Sequence, residues 1–337
     1  MMEPEVRRVA RPPKRNGAKA AAFRHFLTST YGEAALATGS GVLDIAGGQA
    51  SLSWELLNYH GVPVTVVDPR PCTRARRFER RFEYHSRQRA SARVTAPADE
   101  DAGATIQPLR PQHWPVYWRD EVWRPLVAAT APCLDDASSR AHALEALAES
   151  LRSRPTQPNS ARRTRKGYFA PVGGKDGSGD EETQADELSD ACSAPPSAVP
   201  CVEEAWRVLH ECSIVVGLHP DSATESIVDF ALAMNKPFAV VPCCVCAVDF
   251  PNRRLPGDDP TSYDAFVSYL VSKAPDRIGT LTLPFEGRNV CVFSLPKEDG
   301  AERAGEPSPA AIHAAIERYL ACELAGPPTA SQLVDAS

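Results

Sequence analysis

Val42-Leu-Asp44-Ile-Ala46-Gly47-Gly48-Gln-Ala50, followed by Val64-Thr-Val-Val-Asp68, is the stretch whose reading decides the fold. Residues 42–46 form a short apolar run with one acid and read as a buried strand entering a tight turn at the two glycines. Ser51 is the expected N-cap of a helix whose apolar stripe is Leu52, Leu56 and Leu57, and Gly61 stops it. Residues 64–68 read as a second strand. Strand, helix and strand make one βαβ unit, which implies a parallel sheet. Bare backbone at Gly47 and Gly48 can approach a ligand at the carboxyl edge of such a sheet, where a Cβ would stand in the way. Asp68, at the end of the second strand, can accept hydrogen bonds from both hydroxyls of a ribose.

Upstream, Phe23, Phe26, Leu27 and Tyr31 recur at helical spacing over 19–36. Residues 1–16 are basic and read as a disordered arm. Downstream of Pro71, Arg74, Arg76, Arg77, Arg80, Arg81 and Arg87 make a basic helix with Phe78 and Phe82 on its buried edge. A third strand is expected at 104–109, and Trp114, Tyr117, Trp118 and Trp123 are expected to pack. Residues 153–200 carry a basic cluster, an acidic block and a Pro/Ser/Ala stretch, a composition that cannot bury a core, and read as a disordered insertion. Order returns with a helix ending at His210 and a strand at 213–217. Ser222-Ala-Thr-Glu225 fits a capping box before a helix bearing Ile227, Val228, Ala231 and Met234. Another strand follows at 238–241. Thr261 is placed as the cap of a helix carrying Phe266, Val267 and Leu270. Segments 280–285 and 290–295 flank Glu286-Gly287-Arg-Asn289 as a β-hairpin. A helix with Ile312, Ile316, Tyr319 and Leu320 closes a domain spanning 17–325, and 326–337 read as a disordered tail.

The 337 residues are 43% hydrophobic and 24% charged, a globular balance, and the formal charge of −6 excludes a uniformly basic nucleic-acid coat. No apolar run approaches the ~20 residues of a membrane helix. No secretory signal is visible at Met1-Met-Glu-Pro4, and ten cysteines, two of them adjacent, are not a disulfide scaffold. A cytoplasmic or nuclear location is the expectation.

Nicotinamide-binding proteins carry G-x-G-x-x-G. Here the glycines are adjacent and an acid precedes them by three residues. That pattern resembles motif I of the class I S-adenosylmethionine-dependent methyltransferases, with a departure at Ala50, where the family commonly has Gly. The resemblance implies an α/β, Rossmann-like fold: a seven-stranded, mostly parallel sheet ended by an antiparallel hairpin. It implies S-adenosyl-L-methionine as cofactor, with Asp44 near its methionine end and Asp68 on its ribose. The cofactor-binding set is then Asp44, Ala46, Gly47, Gly48, Asp68 and Pro69. Alternatively, the unit is a βαβ turn with no ligand.

Gly217-Leu-His219-Pro-Asp221-Ser-Ala-Thr224-Glu225 and Val241-Pro-Cys243-Cys244 resemble, more narrowly, a methyltransferase-domain group that includes tRNA 2′-O-methyltransferases. That group often has Leu-His-x-Cys-Gly after strand four and a Cys-Cys pair after strand five; here Pro220-Asp221 replaces Cys-Gly. His219 and Asp221 stand at the strand-four end as catalytic candidates, His219 as a base because its pKa lies near neutrality. Their alternative is local support of the backbone and the helix start. The Asn-Pro-Pro-aromatic motif of amino-group methyltransferases is absent. For Cys243 and Cys244, zinc binding with Cys246 and His219 and nucleophilic attack on a pyrimidine are both weighed. Adjacent cysteines lack the C-x₂-C bite, so no metal is assigned. Both cysteines are placed in the substrate-binding set with Arg70, Arg253 and Arg254, which could hold RNA phosphates, tRNA favoured. The alternatives are a solvated basic face, a protein or small-molecule substrate, and a non-catalytic scaffold that keeps the fold for binding.

Overall fold

The computed structural model describes residues 15–93, 108–130, 137–152, 199–255, 262–296 and 309–325. The basic arm up to residue 14, the insertion at 153–198, the tail at 326–337 and most of the strand expected at 104–109 lie outside the described residues.

The chain runs α1 (Arg15–Tyr31), α2 (Glu33–Leu36), β1 (Val42–Ile45), α3 (Ser51–His60), β2 (Val64–Val67), α4 (Ala75–Arg93), β3 (Gln112–Trp114), α5 (Asp120–Thr130), α6 (Ala137–Arg152), α7 (Val202–Glu211), β4 (Ile214–Leu218), α8 (Thr224–Ala233), β5 (Phe238–Val241), α9 (Tyr263–Ser272), β6 (Ile278–Thr282), β7 (Val290–Ser294) and α10 (Pro309–Ala325). The seven strands form one sheet in the order β3-β2-β1-β4-β5-β7-β6. The five from β3 to β5 are parallel, and β7 runs antiparallel to both β5 and β6. β1 is central: Val42 pairs with Val64 on one side and Ile214 on the other. The described fold is therefore α/β with a mixed, mostly parallel sheet. No described helix is long and apolar enough to cross a membrane.

Side chains alternate along the strands. Leu43, Ile45, Val215, Val240 and Val292 face a cluster with Trp114, Trp118, Trp123, Leu147, Val208, Phe230 and Phe266, contributed by β3, the segment after it and α5 to α9. Val42, Val64, Val216, Ala239, Val241 and Phe293 face the opposite cluster, with Phe23, Phe26, Leu56, Ile312 and Tyr319 from α1, α3 and α10. Both faces are covered, as a parallel sheet requires. Tyr31, at the end of α1, donates to the carbonyls of Phe238 and Ser294 and so ties the first helix to β5 and β7.

Several local expectations are corrected. A strand that was not expected, β3, lies at Gln112–Trp114, and of the strand expected at 104–109 the described residues 108 and 109 are irregular. Helix α1 begins at Arg15, inside the expected arm, and Gly32, at φ 80°, separates it from α2. Ala50 rather than Ser51 caps α3, in left-handed conformation and without a side-chain bond. Asp221–Ala223 is a 3₁₀ turn leading into α8, so Ser222 caps nothing; Thr224 Oγ1 instead donates back to the Asp221 carbonyl at 2.8 Å. Ser262, one residue after Thr261, caps α9 by accepting from the Ala265 amide. Leu320 is exposed, outside the buried face of α10.

Candidate functional site at the carboxyl edge of the sheet

The turn after β1 is held by its own acids. Asp44 is 1% exposed. Its Oδ2 accepts a hydrogen bond from Ser53 Oγ in α3, while its Oδ1 is buried with no partner among the described residues. Burial pushes this carboxyl up; the Ser53 bond opposes, the charge of Asp68 adds, and the result is about 7. A Cβ on Gly47 would stand 2.7 Å from Asp44 Oδ2 and 2.9 Å from Val66 Cγ1, so only glycine fits there. Gly48 has φ 57°, and a Cβ there would meet nothing nearer than Arg70 Nη2 at 3.7 Å. Ala46 and Ala50 also have positive φ, at 55° and 58°. Two alanines in the left-handed region cost about 1 kcal/mol each, a sign that the turn's path is imposed by its surroundings.

Asp68 follows β2 and is fully buried. Its Oδ2 accepts from the Gly48 amide at 2.9 Å and Arg70 Nη2 at 3.0 Å. Its Oδ1 accepts from the Arg70 amide at 2.8 Å and Arg70 Nε at 3.0 Å. The carboxylate thus has four donors, three of them from Arg70. The guanidinium of Arg70 is nevertheless 67% exposed, held mainly by this fork. These bonds, together with the charges of Asp68 and Asp221, raise its pKa.

His219 and Asp221 follow β4 with φ of 59° and 50°. His219 Nε2 lies 2.8 Å from the Arg288 carbonyl in the β6–β7 connection. A carbonyl only accepts, so Nε2 carries the proton and Nδ1 the lone pair. Burial lowers the pKa of this imidazole, against the pull of the Arg288 carbonyl, and favours the neutral ring. Cys243 Sγ donates to Asp221 Oδ1 at 3.0 Å and lies 3.5 Å from Cys244 Sγ. Cys244 Sγ is 3.7 Å from the same oxygen and 3.1 Å from Cys246 Sγ. The contact with Cys244, burial and the charge of Asp221 push the Cys243 thiol far up. For Cys244 the Cys243 contact lowers the pKa, but the Cys246 contact and burial outweigh it and push it to about 12. Neutral thiols are poor nucleophiles, which weakens the covalent reading of this pair.

The basic residues divide. Arg254 is exposed, as are Arg74, just before α4, and Arg76, Arg77 and Arg80 within it. Arg253 is not available for phosphate, contrary to expectation. Its side chain is 5% exposed and pairs with Glu225 Oε2. It also stacks 4.1 Å from the Phe250 ring centroid and 4.7 Å from that of Phe266. Glu225 binds Lys273 and Tyr269 as well, so the residue expected to complete a capping box anchors a buried network instead.

The edge thus brings together Asp44, Gly47, Gly48, Asp68 and Arg70 around β1 and β2, and His219, Asp221, Cys243 and Cys244 around β4 and β5. Ser53 and Arg288 escaped the sequence reading, since only the fold brings them to Asp44 and His219. The meeting of Asp221 with Cys244 had a signal. Parallel β4 and β5 pair Leu218 with Val241, and Asp221 and Cys244 each lie three residues beyond their own strand's member of that pair. Comparison with family models, curated proteins and solved structures finds no match to this chain.

Proposed function

We propose that this chain is an S-adenosylmethionine-dependent methyltransferase acting on RNA, with tRNA the favoured class. The observation that carries the reading is the pairing of the Gly47-Gly48 turn with Asp68 at adjacent strand ends, beside the β1/β4 point where the strand order reverses. Open α/β sheets take their ligands at such switch points. The common dinucleotide-binding order is 3-2-1-4-5-6. Here an antiparallel β7 sits between β5 and β6, the reversed strand that the methyltransferase resemblance implies and the dehydrogenases lack.

The residues fit this cofactor if side chains move. The partnerless Oδ1 of Asp44 suits a donor such as the methionine ammonium once the turn opens to it, and Gly48 leaves open space. Asp68 can take a ribose only if Arg70 swings off it, and the exposure of that guanidinium allows the swing. When bound, the cofactor supplies a methyl group on a sulfonium. His219 holds its Nε2 proton on Arg288 and so keeps Nδ1 for the proton of a substrate hydroxyl. Released Arg70, Arg254 and the exposed arginines of α4 supply phosphate contacts. Calorimetric titration with S-adenosylmethionine and with NAD tests the reading, followed by methyl transfer from labelled cofactor to total tRNA. Binding of S-adenosylmethionine alone, with label entering RNA, is the expected result. NAD binding in its place would refute it.

The fully satisfied Asp68 carboxylate favours a second reading, a methyltransferase-fold scaffold without activity. It predicts that neither cofactor binds, whereas label entering protein in place of RNA would move only the substrate class.

A further inference from the structure

We infer that Asp221, Cys243 and Cys244 form a binding site for a soft divalent cation, Zn²⁺, at the carboxyl edge of β4 and β5. The three ligand atoms all lie within 4.8 Å of one another. Zinc bonds of ~2.3 Å to sulfur and ~2.1 Å to oxygen, at tetrahedral angles, put ligand atoms ~3.8 Å apart for sulfur pairs and ~3.6 Å for sulfur and oxygen. The separations are 3.5 Å between the sulfurs, and 3.0 and 3.7 Å from them to Asp221 Oδ1. Three corners of a tetrahedron are therefore nearly in place, the largest adjustment being about 0.6 Å between Cys243 Sγ and Asp221 Oδ1.

The ligand set differs from the one weighed on sequence alone. The ligand atoms that converge are those of Asp221, Cys243 and Cys244, without His219, so Asp221 takes the place expected for a histidine. The objection that adjacent cysteines lack the usual bite is met by the third ligand. Asp221 comes from the other strand, so closure of the site does not depend on the Cys243–Cys244 link alone. Without a cation, the carboxylate has thiols for partners, and an S–H is a weak donor. All three cysteines of the Cys243–Cys246 segment are partly exposed, so an ion has a path in. The positive φ of Asp221 and Cys246 marks backbone held in an uncommon conformation around the cluster. Each ligating thiol gives its proton to water, so binding one Zn²⁺ releases up to two protons. Three protein ligands leave a fourth position open, the arrangement of zinc sites that bind a further donor atom.

The site stands independently of the cofactor reading. The test uses the full chain, reduced and stripped with a chelator. Titration with Co²⁺ should give one equivalent of tetrahedral cobalt with thiolate-to-metal charge-transfer absorption, bleached by Zn²⁺. Asp221→Asn, an exposed change, should weaken binding at least ~10-fold. Cys243→Ser and Cys244→Ser should each reduce the charge-transfer band, with circular dichroism reporting the fold; Cys72→Ser and Cys201→Ser should leave it intact. No stoichiometric cobalt or zinc binding by the wild-type chain overturns the assignment. So does a band that survives the folded Cys243→Ser/Cys244→Ser double variant. S-adenosylmethionine calorimetry on the same metal-free sample separates the two readings: cofactor binding without metal binding overturns the metal site alone.

Discussion

Replacing Asp44 with Asn should make the protein more stable, and the gain should grow with pH. Asparagine keeps the shape and an oxygen for Ser53 Oγ, but it has no charge to bury. The wild-type carboxyl sits near 7 when folded, against an ordinary value of 3.8. The folded state therefore holds this proton more tightly than the unfolded chain. Its stabilising effect is complete below about pH 4 and is lost as pH rises through about 7. Three units correspond to about 4 kcal/mol when the loss is complete. Between pH 5 and pH 8 the variant's advantage over wild type should widen by about 2–3 kcal/mol. Urea unfolding at the two pH values, for both proteins, measures this, because every other titration is shared and cancels in the difference. A stability gap that stays constant from pH 5 to pH 8 would refute the reasoning and show that Asp44 is ionised, with a partner, in the native state.

Arg70→Ala and Asp68→Ala should move S-adenosylmethionine affinity in opposite directions in calorimetry. Removing the guanidinium frees the carboxylate and tightens binding, whereas removing the carboxylate weakens it by about 1.5–3 kcal/mol; a loss in both would remove the competition between Arg70 and ribose. His219→Ala should lower turnover by about 10²–10⁴-fold with cofactor affinity unchanged, and full activity would remove it as the base. Arg253→Ala should cost about 1–3 kcal/mol in denaturant unfolding, since Glu225 loses one of its two cationic partners. An Arg253 variant with normal stability and reduced RNA binding would restore its phosphate role.

The parallel core was legible because its signals are local. β1, β2, β4 and β5 are apolar runs bounded by turn residues, and the αL glycine at 61 stops α3 as read. β3 went unread because it is a three-residue edge strand of mixed burial, too short for any periodicity to register. The caps expected at 51, 222 and 261 fell one residue from the true cap positions, because Ser and Thr mark a helix start by type while backbone geometry fixes the position. Arg253 misled because sequence shows its charge and not its burial, and Phe250 and Glu225 that enclose it reach it only through the fold. At the site, glycine spacing identified the turn, while the Arg70 fork on Asp68 and the thiols on Asp221 depend on where side chains rest after the strands pair.

The sheet order also divides the chain in time. β3, β2 and β1 come from the first half and β4, β5, β7 and β6 from the second, and among the described residues the ladder joining them is β1 with β4. A ribosome adding 5–20 residues per second needs roughly 10–30 s to pass from Ile45 to Ile214. Through that interval the nascent chain carries Val42–Ile45 with one edge unpaired, an apolar template open to any other strand. Native pairing of the central strand on its second side must wait for the second half to emerge. The same division makes the β1–β4 ladder the natural seam for reassembling the protein from two separately expressed fragments, cut between Arg152 and Val199.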